Sequence, residues 1–142
     1  MPAANATDEQ GAGGVFESFA RHPAGQLAAS GTSDGVIRIW DVKQGQQSAV
    51  FRGHEGAVHT LDFSQNGYLL AAASRGAKHV KIWDLRKLEV TRMVDTDAAI
   101  EEVRFDPTAQ LLAVVTAMNV RLFGGQSLEL CAPLVGNNRL GA

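Results

Sequence analysis

The stretch Val36-Ile37-Arg38-Ile39-Trp40-Asp41 has a second version, His79-Val80-Lys81-Ile82-Trp83-Asp84, whose Trp-Asp pair stands 43 residues further along the chain. A weaker third version, Asn119-Val120-Arg121-Leu122-Phe123-Gly124, places its aromatic residue 40 residues after Trp83. All three share the order β-branched, basic, aliphatic, aromatic. A phrase that recurs at a nearly constant interval indicates a chain built from copies of one structural unit.

Other landmarks repeat in step with this phrase, which a chance Trp-Asp pair would not bring. Gly25, Gly67 and Ala109 recur at intervals of 42 residues, and each precedes a short apolar run. The dipeptide Gly53-His54 follows Trp40 at the place where this repeat class begins its next first strand. Short apolar runs at even spacing, separated by turn residues, predict an all-β fold, and the period selects a β-propeller over a sandwich or barrel.

The predicted architecture is three four-stranded blades, an incomplete propeller, because closed propellers have about four to eight blades. We expect the open blade edges to permit oligomerisation, since such edges are templates for pairing. The blades are placed at about 15–51, 57–94 and 99–132, between a flexible Gly/Ala-rich lead at 1–14 and an irregular tail at 133–142. The predicted strands are 15–20, 26–32, 36–41, 47–51, 57–63, 68–73, 79–84, 89–94, 99–105, 111–116, 119–123 and 127–132.

The composition excludes several classes of function. A formal charge of −2 and a pI near 6.0 supply no basic field for direct nucleic-acid binding. The single cysteine, Cys131, excludes an internal disulfide and favours a reducing compartment. No apolar run approaches the roughly 18 residues of a membrane span, and residues 1–14 lack the features of a signal peptide. We therefore expect an intracellular, non-secreted protein without membrane attachment.

The sequence offers no convergent set of catalytic residues. The four histidines lack the clustered spacing and the acidic or thiol companions of a metal site. Nothing near Cys131 supplies the positive setting of a reactive thiol, and Glu101-Glu102 is better explained as a solvated edge than as an acid–base pair. We therefore expect no catalytic residue, no metal and no cofactor, with a propeller enzyme as the less favoured alternative.

Six residues are predicted to form hydrogen-bond networks that tie loops to blades, since buried polar groups need partners. Both networks are incomplete, because the turn of the second blade has no Asp and Ala12 takes the place that corresponds to His54 in the first. The third blade retains only Thr116. The six are His54, Ser74 and Trp83 in the second blade, and Thr32, Asp34 and Trp40 in the first.

Five loop residues are candidates for protein binding, because recognition residues concentrate on loops of a rigid scaffold. Arg75, Lys78 and His79 form a basic turn, and Arg52 and Glu55 flank the Gly-His corner. An ordinary charged loop is the alternative interpretation of the basic turn.

From about Val15 to Leu130 the quoted residues resemble the WD-repeat family. The stretches 63–71 and 80–88 are similar to the repeat domain of splicing-associated U-box ubiquitin ligases. That resemblance implies a nuclear scaffold that binds splicing-complex components or ubiquitination substrates, with a family link to DNA repair. It also implies that transferase activity belongs to a module other than this chain. A WD-repeat adaptor of another pathway is the alternative.

Overall fold

The computed structural model describes residues 14–107, 111–124 and 129–135. Within these ranges the chain forms twelve β-strands and no helix, so the described residues contain no helix that could span a membrane. The strands make three antiparallel four-stranded sheets, which we call blades 1, 2 and 3. The predicted all-β fold of three propeller blades is confirmed.

Each blade is a meander in which strands adjacent in sequence are hydrogen-bonded neighbours. Blade 1 consists of β1 (Phe16–Arg21), β2 (Leu27–Thr32), β3 (Ile37–Asp41) and β4 (Gln46–Phe51). Blade 2 consists of β5 (Val58–Phe63), β6 (Leu69–Ser74), β7 (His79–Asp84) and β8 (Glu89–Asp95). Blade 3 consists of β9 (Ile100–Asp106), β10 (Leu111–Thr116), β11 (Asn119–Gly124) and β12 (Glu129–Val135).

The last strand lies further along the chain than the predicted 127–132. Residues 133–135, assigned from sequence to the irregular tail, continue the pairing with β11 as far as Asn119 opposite Val135. Pro133 fits here because β12 is an edge strand, where a missing backbone N–H is tolerated. The rest of the predicted tail, 136–142, and residues 1–13 of the predicted lead lie outside the described residues.

The loops gather at two ends of the blades, because antiparallel strands alternate in direction. The upper end, where even-numbered strands finish, carries the loops 33–36, 52–57, 75–78 and 96–99. The lower end, where odd-numbered strands finish, carries the loops 22–26, 42–45, 64–68 and 85–88.

Blade 2 lies between the other two blades and buries both of its faces. Ile37 of blade 1 and Leu70 of blade 2 belong to one apolar core, which we call junction 1/2. Ile82 of blade 2 and Val103 of blade 3 belong to a second core, junction 2/3. Because successive side chains of a strand point to opposite faces, blade 2 contributes residues to both cores.

The outer face of blade 1 has no neighbouring blade among the described residues, and a position that is buried in blade 2 is exposed there. Leu61 of blade 2 pairs with Ala72 and is 3% exposed. Phe19 pairs with Ser30 at the equivalent register of blade 1 and is 64% exposed. An exposed aromatic side chain at a core position indicates a surface suited to a neighbouring blade or partner.

A β-bulge interrupts the pairing of the third and fourth strands beside Trp40, Trp83 and Phe123. An extra residue reverses the faces to which the following side chains point. In blade 2 this places Val90 opposite Trp83, on junction 1/2, and Arg92 opposite Ile82, on junction 2/3. The bulge thus brings an arginine to the rim of junction 2/3.

Candidate protein-interaction site

Two side-chain hydrogen bonds tie the Gly-His corner at the upper end to blade 2, and in one of them Lys81 Nζ donates to the carbonyl oxygen of Gly53. Trp83 Nε1 donates to Nε2 of His54 at 3.2 Å. Because an indole N–H can only donate, Nε2 accepts, and the neutral imidazole carries its proton on Nδ1. Burial, together with the nearby Lys81 and His79, lowers the pKa of His54 to about 4. The imidazole is therefore uncharged at neutral pH and acts as a structural tie.

In blade 1 the tryptophan uses a different acceptor. Trp40 Nε1 donates to Ser30 Oγ at 2.9 Å. Trp40 pairs with Ala28, so Ser30 is its diagonal neighbour on the same face of the sheet. In blade 2 the position equivalent to Ser30 is Ala72, which has no hydroxyl, and Trp83 turns to the histidine instead.

The remaining network residues do not join these tryptophans. Thr32 donates its hydroxyl to Asp34 and accepts the backbone N–H of Val36 at 3.2 Å, which closes the turn between β2 and β3. Ser74 is buried at the end of β6 beside Gly56. Among the described residues, no hydrogen bond joins Ser74 to His54 or Trp83. The residues predicted as two networks thus form separate local ties.

The five candidate binding residues all lie at the upper end, on the loops 52–57 and 75–78 and at the start of β7. Arg75 forms an ion pair with Glu17 of blade 1 at 3.0 Å, while Arg52, Glu55 and Lys78 are exposed. An exposed ion pair of this kind contributes roughly 0–1 kcal/mol. His79 is partly buried and lies close enough to His54 to lower its pKa. The upper end therefore presents side chains of both charges.

An opening lies at the opposite, lower end, between blades 2 and 3. We call it the lower cleft, and it has a volume of about 540 Å³, within the range of peptide and ligand pockets. Its apolar lining includes Leu69, Ile82, Phe105 and Pro107. Its polar lining includes Ser64, Asn66, Tyr68, Asp84, Arg86, Arg92 and Asp106.

The loop 64–68 holds Tyr68 at the mouth of this cleft. Ser64 Oγ donates to Asn66 Oδ1 at 2.7 Å, and the same oxygen of Asn66 accepts the backbone N–H of Tyr68 at 3.0 Å. The guanidinium carbon of Arg86 lies 4.2 Å from the centre of the Tyr68 ring, a cation–π contact. An exposed aromatic ring is thus presented on a rigid turn.

Asp84 fixes the loop 85–88 on the other side of the mouth. Its Oδ1 accepts the backbone N–H groups of Arg86 at 2.8 Å and Lys87 at 3.1 Å, and Oδ2 lies 3.5 Å from the Arg86 guanidinium. Desolvation alone would raise the pKa of Asp84, but these hydrogen bonds and the guanidinium outweigh it and lower the pKa. The carboxylate is therefore charged and already satisfied.

Sequence reasoning missed the lower cleft and placed every binding candidate at the upper end. The signals available were Tyr68, the only tyrosine in the chain, directly after the turn Asn66-Gly67, and Arg86 directly after the second Trp-Asp pair. For a catalytic or metal site no such signal emerges. No group of three or more His, Cys, Asp or Glu side chains in the described part of the chain could hold a metal ion.

Three stacked four-stranded meanders, two of them with the Trp-Asp phrase on the third strand, define a repeat class of propeller proteins. The sequence profile of the family described as "WD domain, G-beta repeat" matches residues 11–41 and 45–84. The chain belongs to this family.

Within the family the chain is similar to pre-mRNA-processing factors. It is 42% identical over 102 residues to pre-mRNA-processing factor 19 of Oryza sativa subsp. japonica, covering 70% of this chain and 19% of that protein. It is 37% identical over 115 residues to pre-mRNA-processing factor 19 homolog 2 of Arabidopsis thaliana, covering 80% of this chain and 21% of that protein. The chain thus spans about a fifth of the length of these relatives.

A further relative carries a different name. Eukaryotic translation initiation factor 3 subunit I of Neosartorya fischeri is 30% identical over 100 residues, covering 70% of this chain and 29% of that protein.

Proposed function

We propose that this chain is a protein-interaction scaffold, the partner-binding WD-repeat portion of a nuclear pre-mRNA-splicing factor. The observation that carries the proposal is the lower cleft, where a rigidly held aromatic ring and arginines surround an apolar floor. Aromatic and arginine side chains in a pocket are the typical anchors of protein interfaces. The similarity to pre-mRNA-processing factor 19 supports the assignment to this pathway.

The proposal extends to the parent protein. We infer that it is a U-box ubiquitin ligase whose transferase module lies in another part of the protein, and that this portion is not itself an enzyme but selects splicing components or ubiquitination substrates. A role in DNA repair belongs to the same proposal. The exposed loop residues Arg52, Glu55 and Lys78, with Arg75 and His79, form a second proposed contact surface at the upper end.

We also propose that the open blade surfaces associate with further protein, including other copies of the chain. The exposed Phe19 on blade 1, at a position where blade 2 has a buried Leu61, supports this. Sedimentation velocity at micromolar concentration measures it directly. A monodisperse, cooperatively melting monomer would contradict it.

Affinity capture from nuclear extract tests the pathway. A tagged chain is expected to enrich splicing-complex proteins, as read by mass spectrometry. The double variant Arg75→Ala/Lys78→Ala tests the upper surface, and Tyr68→Ala/Arg86→Ala tests the lower cleft. Capture that is unchanged by both pairs of substitutions would contradict binding at either end.

A WD-repeat adaptor in translation initiation is the second candidate, favoured by the 30% identity to a translation initiation factor subunit. The same experiment separates the two. Enrichment of initiation-factor subunits from cytoplasmic extract, without splicing proteins from nuclear extract, would favour the second candidate.

A further inference from the structure

Arg92 lines the lower cleft and carries a side-chain donor without a partner among the described residues. It projects from β8 toward blade 3, opposite Ile82, and lines the cleft. Its Nε is buried and has no hydrogen-bond partner among the described residues. A buried donor without an acceptor is destabilising because its lost hydration is not replaced. Such a group is expected to be satisfied when the protein is in its working state.

The acidic groups of the cleft are already engaged. Asp84 accepts two backbone N–H groups and lies beside the guanidinium of Arg86. Asp106 also has an interaction partner. The Arg92 side chain lines the cleft with its Nε buried and unpaired, so an acceptor for this guanidinium has to come from outside these groups.

The floor next to Arg92 is apolar. Leu69, Ile82 and Phe105 line it, and Tyr68 stands at the mouth with 47% of its surface exposed. A binder of matching chemistry carries a carboxylate for the guanidinium and an aliphatic side chain for the floor.

Junction 1/2 lacks the same features. The residue at the position of Arg92 in blade 1 is Ala49, which pairs with Ile39 and packs into the apolar core. Gln26 stands at the position of Tyr68, since Val42 donates its N–H to Gln26 as Leu85 does to Tyr68. The arginine and the tyrosine of the lower cleft are thus features of junction 2/3 that junction 1/2 does not share.

We propose that the lower cleft binds an extended acidic peptide segment of a partner protein, with a carboxylate on Arg92 and a neighbouring aliphatic side chain on the apolar floor. This rests on the proposed function as a protein-interaction scaffold and names the chemistry of its partner. Charge-assisted contacts between arginine and carboxylate supply selectivity, and Tyr68 with Arg86 supplies contact area.

Fluorescence anisotropy with two labelled peptides tests the proposal on the full chain. One peptide alternates glutamate and leucine between glycine ends, and the other has glutamine in place of every glutamate. The wild-type chain is expected to bind the glutamate peptide at least about tenfold more tightly at low salt, because only a carboxylate makes a charge-assisted bond to Arg92.

Arg92→Ala is expected to abolish the preference between the two peptides, and Tyr68→Ala to weaken both of them. The matched control is Lys43→Ala, which removes a cation from the loop 42–45 of blade 1 at the position of Arg86, and it should leave both affinities unchanged. Circular-dichroism melting of each variant verifies that it is folded.

Equal binding of the two peptides by the wild type would overturn the proposal, as would an unchanged preference in Arg92→Ala. Competition by oligouridylate that is lost in Arg92→Ala would assign the cleft to nucleic acid and also overturn it. If the wild type captures splicing proteins but binds the glutamate and glutamine peptides with equal affinity, this inference fails while the proposed function stands. If it captures none, the proposed function itself fails.

Discussion

Junction 1/2 and junction 2/3 share one strand pattern but are filled differently. At junction 1/2 the rings of Phe51 and Trp83 stack at a centroid distance of 4.5 Å and an angle of 5°. At junction 2/3 the equivalent positions hold Val94 and Phe123. The first junction is closed by two aromatic rings, whereas the second keeps a cleft at its lower rim.

The comparison shows that the repeat determines the backbone arrangement of a junction but not which side chains line it. Blade 1 places Ala49 in the apolar core where blade 2 places Arg92 at a cleft. Junction 1/2 therefore contributes mainly to stability, and junction 2/3 also holds the proposed recognition site. Substitutions at equivalent positions of the two junctions should have unequal effects on the free energy of unfolding and on binding.

The largest effect is expected from Trp83→Ala at junction 1/2. The substitution removes a side chain that is 5% exposed, its stack on Phe51 and its bond to His54, and it should cost about 3–5 kcal/mol of unfolding free energy. Trp40→Ala, at the same position of blade 1, should cost about half as much because Trp40 is only partly buried. Urea denaturation measures both, and equal losses would contradict the comparison.

Acidification should weaken junction 1/2 through His54. The pKa of His54 is near 4 in the folded chain and 6.5 in the unfolded chain. Between these values the unfolded chain binds the proton and the folded chain does not, so the free energy of unfolding falls as the pH drops from 6.5 to 4. The expected loss is on the order of 2–3 kcal/mol.

The matched variant for the pH experiment is His54→Gln, in which this part of the pH dependence should disappear. Denaturation midpoints at several pH values give the difference between the two proteins. At junction 2/3 the position equivalent to His54 is occupied by Asp97, which forms an exposed ion pair with Arg121 at 2.9 Å. An identical pH profile for wild type and variant would show that His54 does not form the proposed neutral tie.

A smaller effect is expected at Gly31, where blade 1 packs closely against blade 2. A Cβ at Gly31 would lie 2.5 Å from Ser18 Oγ and 2.7 Å from Val58 Cγ1, so Gly31→Ala should cost about 2 kcal/mol by overpacking. The equivalent residue at junction 2/3 is Ala73, which is buried, and Ala73→Gly should cost only about 1 kcal/mol. Thermal melting compares them, and a neutral Gly31→Ala would contradict the close approach.

The smallest effect on stability is expected from Arg92→Ala. Removal of a buried donor without a partner offsets the lost packing of the side chain, so the free energy of unfolding should change by less than about 1 kcal/mol. A loss as large as that of Trp83→Ala would show that Arg92 serves the core and not the cleft.

The sequence was sufficient to predict the blades, because the phrase ending at Trp40 returns at Trp83 and Phe123 with its turn glycines in step. It was not sufficient for the hydrogen bonds. Thr32 lies four residues beyond Ala28, the partner of Trp40, so it is too far along the strand, whereas Ser30 is the diagonal neighbour. Choosing between two hydroxyls requires the register of the strands, which the repeat alone does not give.

The lower cleft was missed for a related reason. Simple alternation along the fourth strand places Val90 and Arg92 on the same face. The bulge at Thr91 sends them to opposite junctions, and nothing in the local sequence marks that bulge. One irregular backbone position therefore decides which junction Arg92 faces, and the sequence pattern does not reveal it.

The central claim is that a partner protein binds at junction 2/3. The most direct measurement is photo-crosslinking of the chain in nuclear extract, with p-benzoylphenylalanine placed either at Tyr68 or at the equivalent position of blade 1, Gln26. The account predicts a crosslinked splicing-complex protein from position 68 and none from position 26. Crosslinks of equal strength from both positions, or none from position 68, would contradict it.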